Sequence, residues 1–136
     1  MGVRATGRKL AMQALYQAAM RKETAPELVE FINEGLFQND TKAWALELIN
    51  GASKHLDEVD KVIKSYSKDW SFDRINPIDK SILRLGLYEL IHTDTPHSVI
   101  INEALEMAKR YSTDDSPKYI NGILGQYVDD QCSPGS

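Results

Sequence analysis

The chain has 136 residues, 42% hydrophobic and 26% charged, with 20 acidic side chains against 16 basic ones and a single cysteine. That is one domain's worth of ordinary globular composition, which excludes wholesale disorder and several independent cores. No run of about 18 apolar residues is present, the start lacks an apolar secretion core, and Cys132 alone closes neither a disulfide nor a cysteine metal site, so a reducing, cytoplasmic setting and no membrane association are expected.

Charge is divided unevenly along the chain. Residues 1–22 hold Arg4, Arg8, Lys9, Arg21 and Lys22 with no acid, while the other 114 residues set 20 acids against 11 bases, a balance of −9. A basic end on an acidic protein suits an anionic partner, although clustered cations also serve simply to solvate a helix.

From Thr6 to Met20 the pattern is helical, with Leu10, Ala11, Ala14, Leu15 and Ala18 on the apolar arc. Lys9, Gln13 and Tyr16 share another side at spacings of four and three, and Arg4 and Arg8 lie within reach of a neighbouring phosphate path. This face can meet RNA; the plainer reading puts Tyr16 in the core and leaves the cations to solvent. A turn at Glu23–Pro26 leads to a short helix carrying Leu28, Phe31 and Ile32, weakened at its end by Gly35.

Asp40 or Thr41 opens one long helix whose stripe runs Trp44, Leu48, Ala52, Leu56, Val59, Ile63 and Tyr66, with His55 a surface or satisfied histidine lacking a second histidine at matching spacing. The segment SKDWSFDRINP is a hinge that Trp70 and Phe72 can plug. NPIDKSILRLGLYELIH, residues 76–92, is apolar nearly all round and therefore central, with Asn76 as cap, Pro77 at the first helical position and Asp79 in the first turn.

His92 and His97 flank the next turn, Thr95 is a candidate cap, and a helix from Pro96 to Tyr111 carries Ile100, Ala104, Met107 and Tyr111 beside a second stripe of Ile101, Leu105 and Ala108. Ser116 as cap and Pro117 begin a terminal amphipathic helix with Ile120, Ile123, Leu124, Tyr127 and Val128. The expected architecture is all-α: a three-helix N-terminal bundle over about residues 1–68 and a C-terminal bundle over about 74–130 built around the central apolar helix, with residues 131–136 as a flexible tail.

No glycine-rich phosphate loop, dinucleotide fingerprint, His-Glu-x-x-His segment or nucleophile elbow is present. Asp114 and Asp115 read as acids stabilising a helix start, and Glu103 and Glu106 as solvated helix residues. No catalytic residue, metal ligand or cofactor is assigned.

Three separated segments, RKLAMQALY at 8–16, DKSILRLGLYEL at 79–90 and VIINEALEMAKRYSTDDSPKYINGIL at 99–124, resemble the transcription antitermination factor NusB family. The resemblance implies an all-helical, non-catalytic protein that pairs with NusE, a small-subunit ribosomal protein. Together they bind the single-stranded boxA element of ribosomal-operon RNA within an antitermination complex on RNA polymerase. Some members of the family are homodimers.

Carried over by motif, Arg8, Lys9, Gln13 and Tyr16, with Arg4 beside them, resemble the RNA-facing part of the first helix. Asp115, Ser116, Lys118 and Tyr119 resemble the second RNA-contacting segment. The cations would attract phosphate, Tyr16 and Tyr119 would stack unpaired bases, and Gln13 and Ser116 would bond base edges. The NusE-docking face falls around the central helix, giving Asp79, Lys80 and Arg84 as partner contacts, the first two ahead of Arg84. Arginines near the start are fewer than the family often has, and Pro117 removes a backbone donor. Two alternatives are the helical RNA-guiding domain of ribosomal-RNA cytosine methyltransferases, which would need a catalytic domain after Val128, and a helical scaffold that binds only proteins.

Overall fold

The computed structural model describes residues 2–21, 38–67 and 71–132. The expected turn at Glu23–Pro26, the short helix of Leu28, Phe31 and Ile32, and Trp70 lie outside these residues, as does the tail from residue 133. Six α-helices are present among the described residues: α1 Val3–Arg21, α2 Asn39–Lys54, α3 Leu56–Tyr66, α4 Pro77–His92, α5 His97–Tyr111 and α6 Ser116–Cys132, with a 3-10 turn at Phe72–Arg74 before α4. Among them no helix is long and apolar enough to cross a membrane. The terminal helix continues through Cys132, two residues into the expected tail.

The central helix is central in the literal sense, since α4 packs against all five others. Ile82, Leu83, Leu85 and Leu87 are fully buried, each contributing about 1.5–3 kcal/mol by leaving water. Asn76 Oδ1 accepts from the Ile78 and Asp79 amides at 2.8 and 3.5 Å, so two of the open N–H groups at the helix start are satisfied as the Asn-Pro signal predicts.

Around this rod α1 pairs with α2, and α5 pairs with α6. The α1–α2 contact is close because its residues are small: Ala11 and Ala45 are fully buried, and a Cβ on Gly7 would stand 2.5 Å from Trp44 Cδ1. In α5 the buried positions are Ile100, Ala104, Met107 and Ala108, drawn from both expected stripes, while Ile101, Leu105 and Tyr111 are half-buried. Pro96 stands at the N-cap of α5 and Thr95 does not cap it.

The single helix expected over residues 40–66 is two. His55, at φ −104° and ψ 20°, breaks it, although its amide still reaches Gly51 O at 3.1 Å and its carbonyl accepts from Val59 at 3.0 Å. The apolar stripe survives because Leu48, Ala52, Val59 and Ile63 all face inward on either side of the bend. The re-aimed α3 reaches both α4 and α6.

Candidate nucleic-acid interface

On α1 the exposed face is composed as the spacing indicated. Gln13 is exposed, and Lys9 and Tyr16 are half-buried. Arg4 is exposed, its guanidinium lying 3.8 Å from the centroid of the Trp44 ring, a cation–π contact that fixes the group while leaving it accessible.

Arg8 departs from expectation. It is 3% exposed, and its Nε and Nη2 donate to Glu89 Oε2 and Oε1 at 2.9 and 2.8 Å. A guanidinium inside the core with both carboxylate oxygens on it has no surface to offer a phosphate. Its place beside Lys9 in sequence is misleading because one residue turns a helical side chain by about 100°.

At the other segment, Asp115 and Lys118 are exposed, Tyr119 is half-buried and Ser116 is buried. The Ser116 hydroxyl donates to Asp79 Oδ2 at 2.9 Å, and the Ser112 hydroxyl donates to the other oxygen of the same carboxylate. Ser116 Oγ also accepts from the Thr113 amide at 3.2 Å. The hydroxyl expected to cap α6 and to read a base edge is thus engaged with the core, tying the head of α6 to the head of α4.

Asp79 is correspondingly 6% exposed. It cannot present a carboxylate to a protein partner and holds α6 in place instead. Lys80 and Arg84 are half-buried; Arg84 makes a two-pronged pair with Asp60 of α3, at 2.8 and 3.0 Å. Lys80 Nζ sits 4.1 Å from the Phe72 ring centroid, and burial, followed by the repulsion of Arg84, pushes its pKa down while Asp73 and Asp60 oppose that shift. Phe72 plugs the junction as expected, with cations around it.

These connections border an open pocket of about 300 Å³ lined by Arg74, Ile75, Asn76, Asp79, Thr113, Asp115, Ser116 and Tyr119, a size at which small-ligand sites begin. The Tyr119 hydroxyl lies 2.9 Å from Ser67 Oγ at the end of α3, so the ring is anchored at its far edge. Arg74, exposed beside Asp115, was not legible as a site residue. Its only signal is the cation in DRINP, which the hinge reading absorbed.

The 3-10 turn and the residue after it border two depressions. Phe72 and Asp73 line a groove with Leu15, Ala18 and Met20 of α1, while Arg74 and Ile75 line the cavity at the head of α6. An amide, cations and an aromatic ring on α1, and a pocket at the head of α6 that combines a tyrosine ring with Arg74 and Asp115, are the features of an all-helical binding protein with surface suited to a polyanion.

The sequence model described as the NusB family matches residues 5–129. The transcription antitermination protein NusB of Streptomyces griseus is 40% identical over 136 residues, covering 95% of this chain and 94% of that protein. A structure of T. maritima NusB superposes with a TM-score of 0.87 at 35% identity, covering 93% of this chain and 91% of that one. A crystal structure of the antitermination factors NusB and NusE in complex with double-stranded RNA superposes at 0.83 with 27% identity, covering 96% and 98%. The chain belongs to the NusB family.

Proposed function

We propose that this protein is a transcription antitermination factor that acts by binding, without catalysis, in the cytoplasm. It binds single-stranded boxA-like RNA of ribosomal-operon transcripts jointly with NusE, within a complex on RNA polymerase. The observation that carries this reading is the pocket at the head of α6, which gathers Arg74, Asp115 and Tyr119 in a chain similar over 96% of its length to a NusB solved with NusE and RNA.

In this reading Arg4, Lys9, Gln13 and Tyr16 form one half of the RNA surface and Asp115, Lys118 and Tyr119 the other, joined by Arg74. Lys9, Lys118 and Arg74 supply phosphate attraction, and the tyrosine rings supply stacking faces for unpaired bases. Arg8 and Ser116 support these groups from behind as positioning residues. NusE meets the α4 side at Lys80, with Arg84 held by Asp60 beneath it.

The test is a titration of a boxA RNA and a scrambled RNA with the protein–NusE pair. Preference for boxA, reduced in Lys9→Ala and Tyr119→Ala, is expected. Equal binding of the two RNAs removes the sequence-specific reading. NusE binding without RNA retention by the pair favours a protein-only scaffold.

A further inference from the structure

His55 and His92 are 37 positions apart in the sequence, yet their rings stack with centroids 3.8 Å apart at 22°. Glu58, one turn beyond His55, completes the group: its Oε1 lies 2.5 Å from His92 Nε2 and 3.7 Å from His55 Nδ1. One ligand atom from each of the three residues falls within 4.8 Å of the others. None of these residues belongs to the RNA surface proposed above. We propose that His55, Glu58 and His92 form a binding site for a divalent transition-metal ion of the zinc, copper or nickel kind.

Two imidazoles and one carboxylate are the ligands such ions favour, and their preference over magnesium or calcium follows from the nitrogen donors. With bonds of about 2.0–2.2 Å, neighbouring donors of a tetrahedral set stand about 3.3–3.5 Å apart. The His55–Glu58 separation is close to that, and His92 need only withdraw from Glu58 by about 1 Å on the same geometry. The side chains keep that freedom, since Glu58 is 50% exposed, His55 32% and His92 27%.

The rings are nevertheless guided. The buried Tyr88 ring stacks beside them, its centroid 5.6 Å from that of His92 and 6.1 Å from that of His55. The hydrogen bond between His92 and Glu58 already brings a ring nitrogen and a carboxylate oxygen together. His92 lies in the last turn of α4 and His55 just past the end of α2, where helix carbonyls favour a cation; the start of α3 at Leu56 opposes this in part. An ion here would fasten the bend between α2 and α3 to the end of α4, with its remaining positions open to solvent.

The test uses the full chain titrated with zinc chloride and with copper chloride, against magnesium chloride. Heat of binding and the imidazole nitrogen resonances are both recorded. One equivalent of zinc is expected, with the His55 and His92 resonances shifting together and that of His97 unmoved. Glu58→Gln should weaken binding at least tenfold, and His55→Ala/His92→Ala should remove it. Zinc should raise the urea midpoint of the parent chain and not that of the double variant. The resonances report the ligands in the unaltered protein, so loss of fold in a variant does not obscure the result. The proposal is overturned if zinc moves neither resonance, if the double variant binds as the parent does, or if Cys132→Ser alone abolishes binding.

Discussion

Arg8 of α1 and Glu89 of α4 form a two-pronged ion pair, with N–O distances of 2.9 and 2.8 Å, at a place where the two residues are 3% and 1% exposed. It is a buried polar link between the first helix and the central one. Because both charges are desolvated, removing one strands the other. Arg8→Ala and Glu89→Ala should each destabilise the fold by about 3–5 kcal/mol, whereas Arg8→Met/Glu89→Leu should come within about 1–2 kcal/mol of the parent or exceed it. Urea denaturation of the four chains checks this, and a double variant as damaged as either single one would remove the explanation.

Lys9 and Lys118 differ from Arg8 in being accessible. If each neutralises one phosphate, alanine at either position should lower the slope of log affinity against log salt by about 1 in the NusE-containing complex, nearly uniformly across RNA sequences. Tyr119→Ala should instead reduce binding with little change in that slope. Titrations at several salt concentrations separate the two behaviours.

Ser116→Ala leaves a buried carboxylate on Asp79 with one donor fewer. A loss of about 1–3 kcal/mol in stability is expected, together with weaker RNA binding, because the head of α6 loses its tie to α4. Amide exchange over residues 113–120, faster in the variant than in the parent, would locate the effect.

At Gly51 of α2 the Tyr88 ring of α4 fills the space a side chain would take. A Cβ there would stand 2.1 Å from the Tyr88 ring, which the stacked histidines keep from swinging aside. Gly51→Ala gains about 0.5–1 kcal/mol of helix propensity, yet should lose about 1–3 kcal/mol by overpacking. In a Tyr88→Leu background the same substitution should be neutral or stabilising. Additive effects in that double-mutant cycle would show that the two side chains do not meet.

Tyr66 donates to Asp130 at 2.6 Å, and that hydrogen bond, with burial second, pushes the phenol from 10.0 up to about 12. The folded chain therefore keeps a proton that the unfolded chain releases. The contribution is complete below pH 10.0 and is lost as pH rises from there through about 12. The group is largely accessible, so screening keeps its effect on stability small. Burial also raises Tyr88, so phenolate absorbance should reveal more than one late-titrating tyrosine, and Asp130→Ala should bring down the midpoint of Tyr66 alone.

The fold was legible where local chemistry and global burial agree. Asn76 and Pro77 announce α4, and its ring of Ile and Leu announces its central place. The bend at His55 was hidden because the stripe from Trp44 to Ile63 remains in phase across it. Lys54 ahead of the bend and Asp57 and Glu58 after it do carry the charge pattern of one helix ending and another beginning.

The candidate site was legible in its exposed members and not in its supports. Gln13, Lys118 and Asp115 follow from motif and period, but the partners of Arg8 and Asp79 are 81 and 37 residues away, and nothing local specifies them. Arg8 and Asp79 look like surface charges in the sequence because burial of a charge is decided by a distant counter-group. His55 and His92 read as a surface histidine and a turn-flanking one because the 37 positions between them hide their stacking.

The head of α6 is gripped from two sides, by Asp79 of α4 through Ser116 and by Ser67 after α3 through Tyr119. Immobilising a rotamer-rich side chain on binding ordinarily costs about 0.5–1.5 kcal/mol, and for Tyr119 that ordering is already present in the folded chain. A ligand arriving at this end meets a tyrosine ring and a helix start already set, with the exposed Arg74 and Lys118 left to adjust. Discrimination then works through misfit, so a wrong ligand leaves quickly, and differences among ligands belong in their dissociation rates far more than in their rates of arrival.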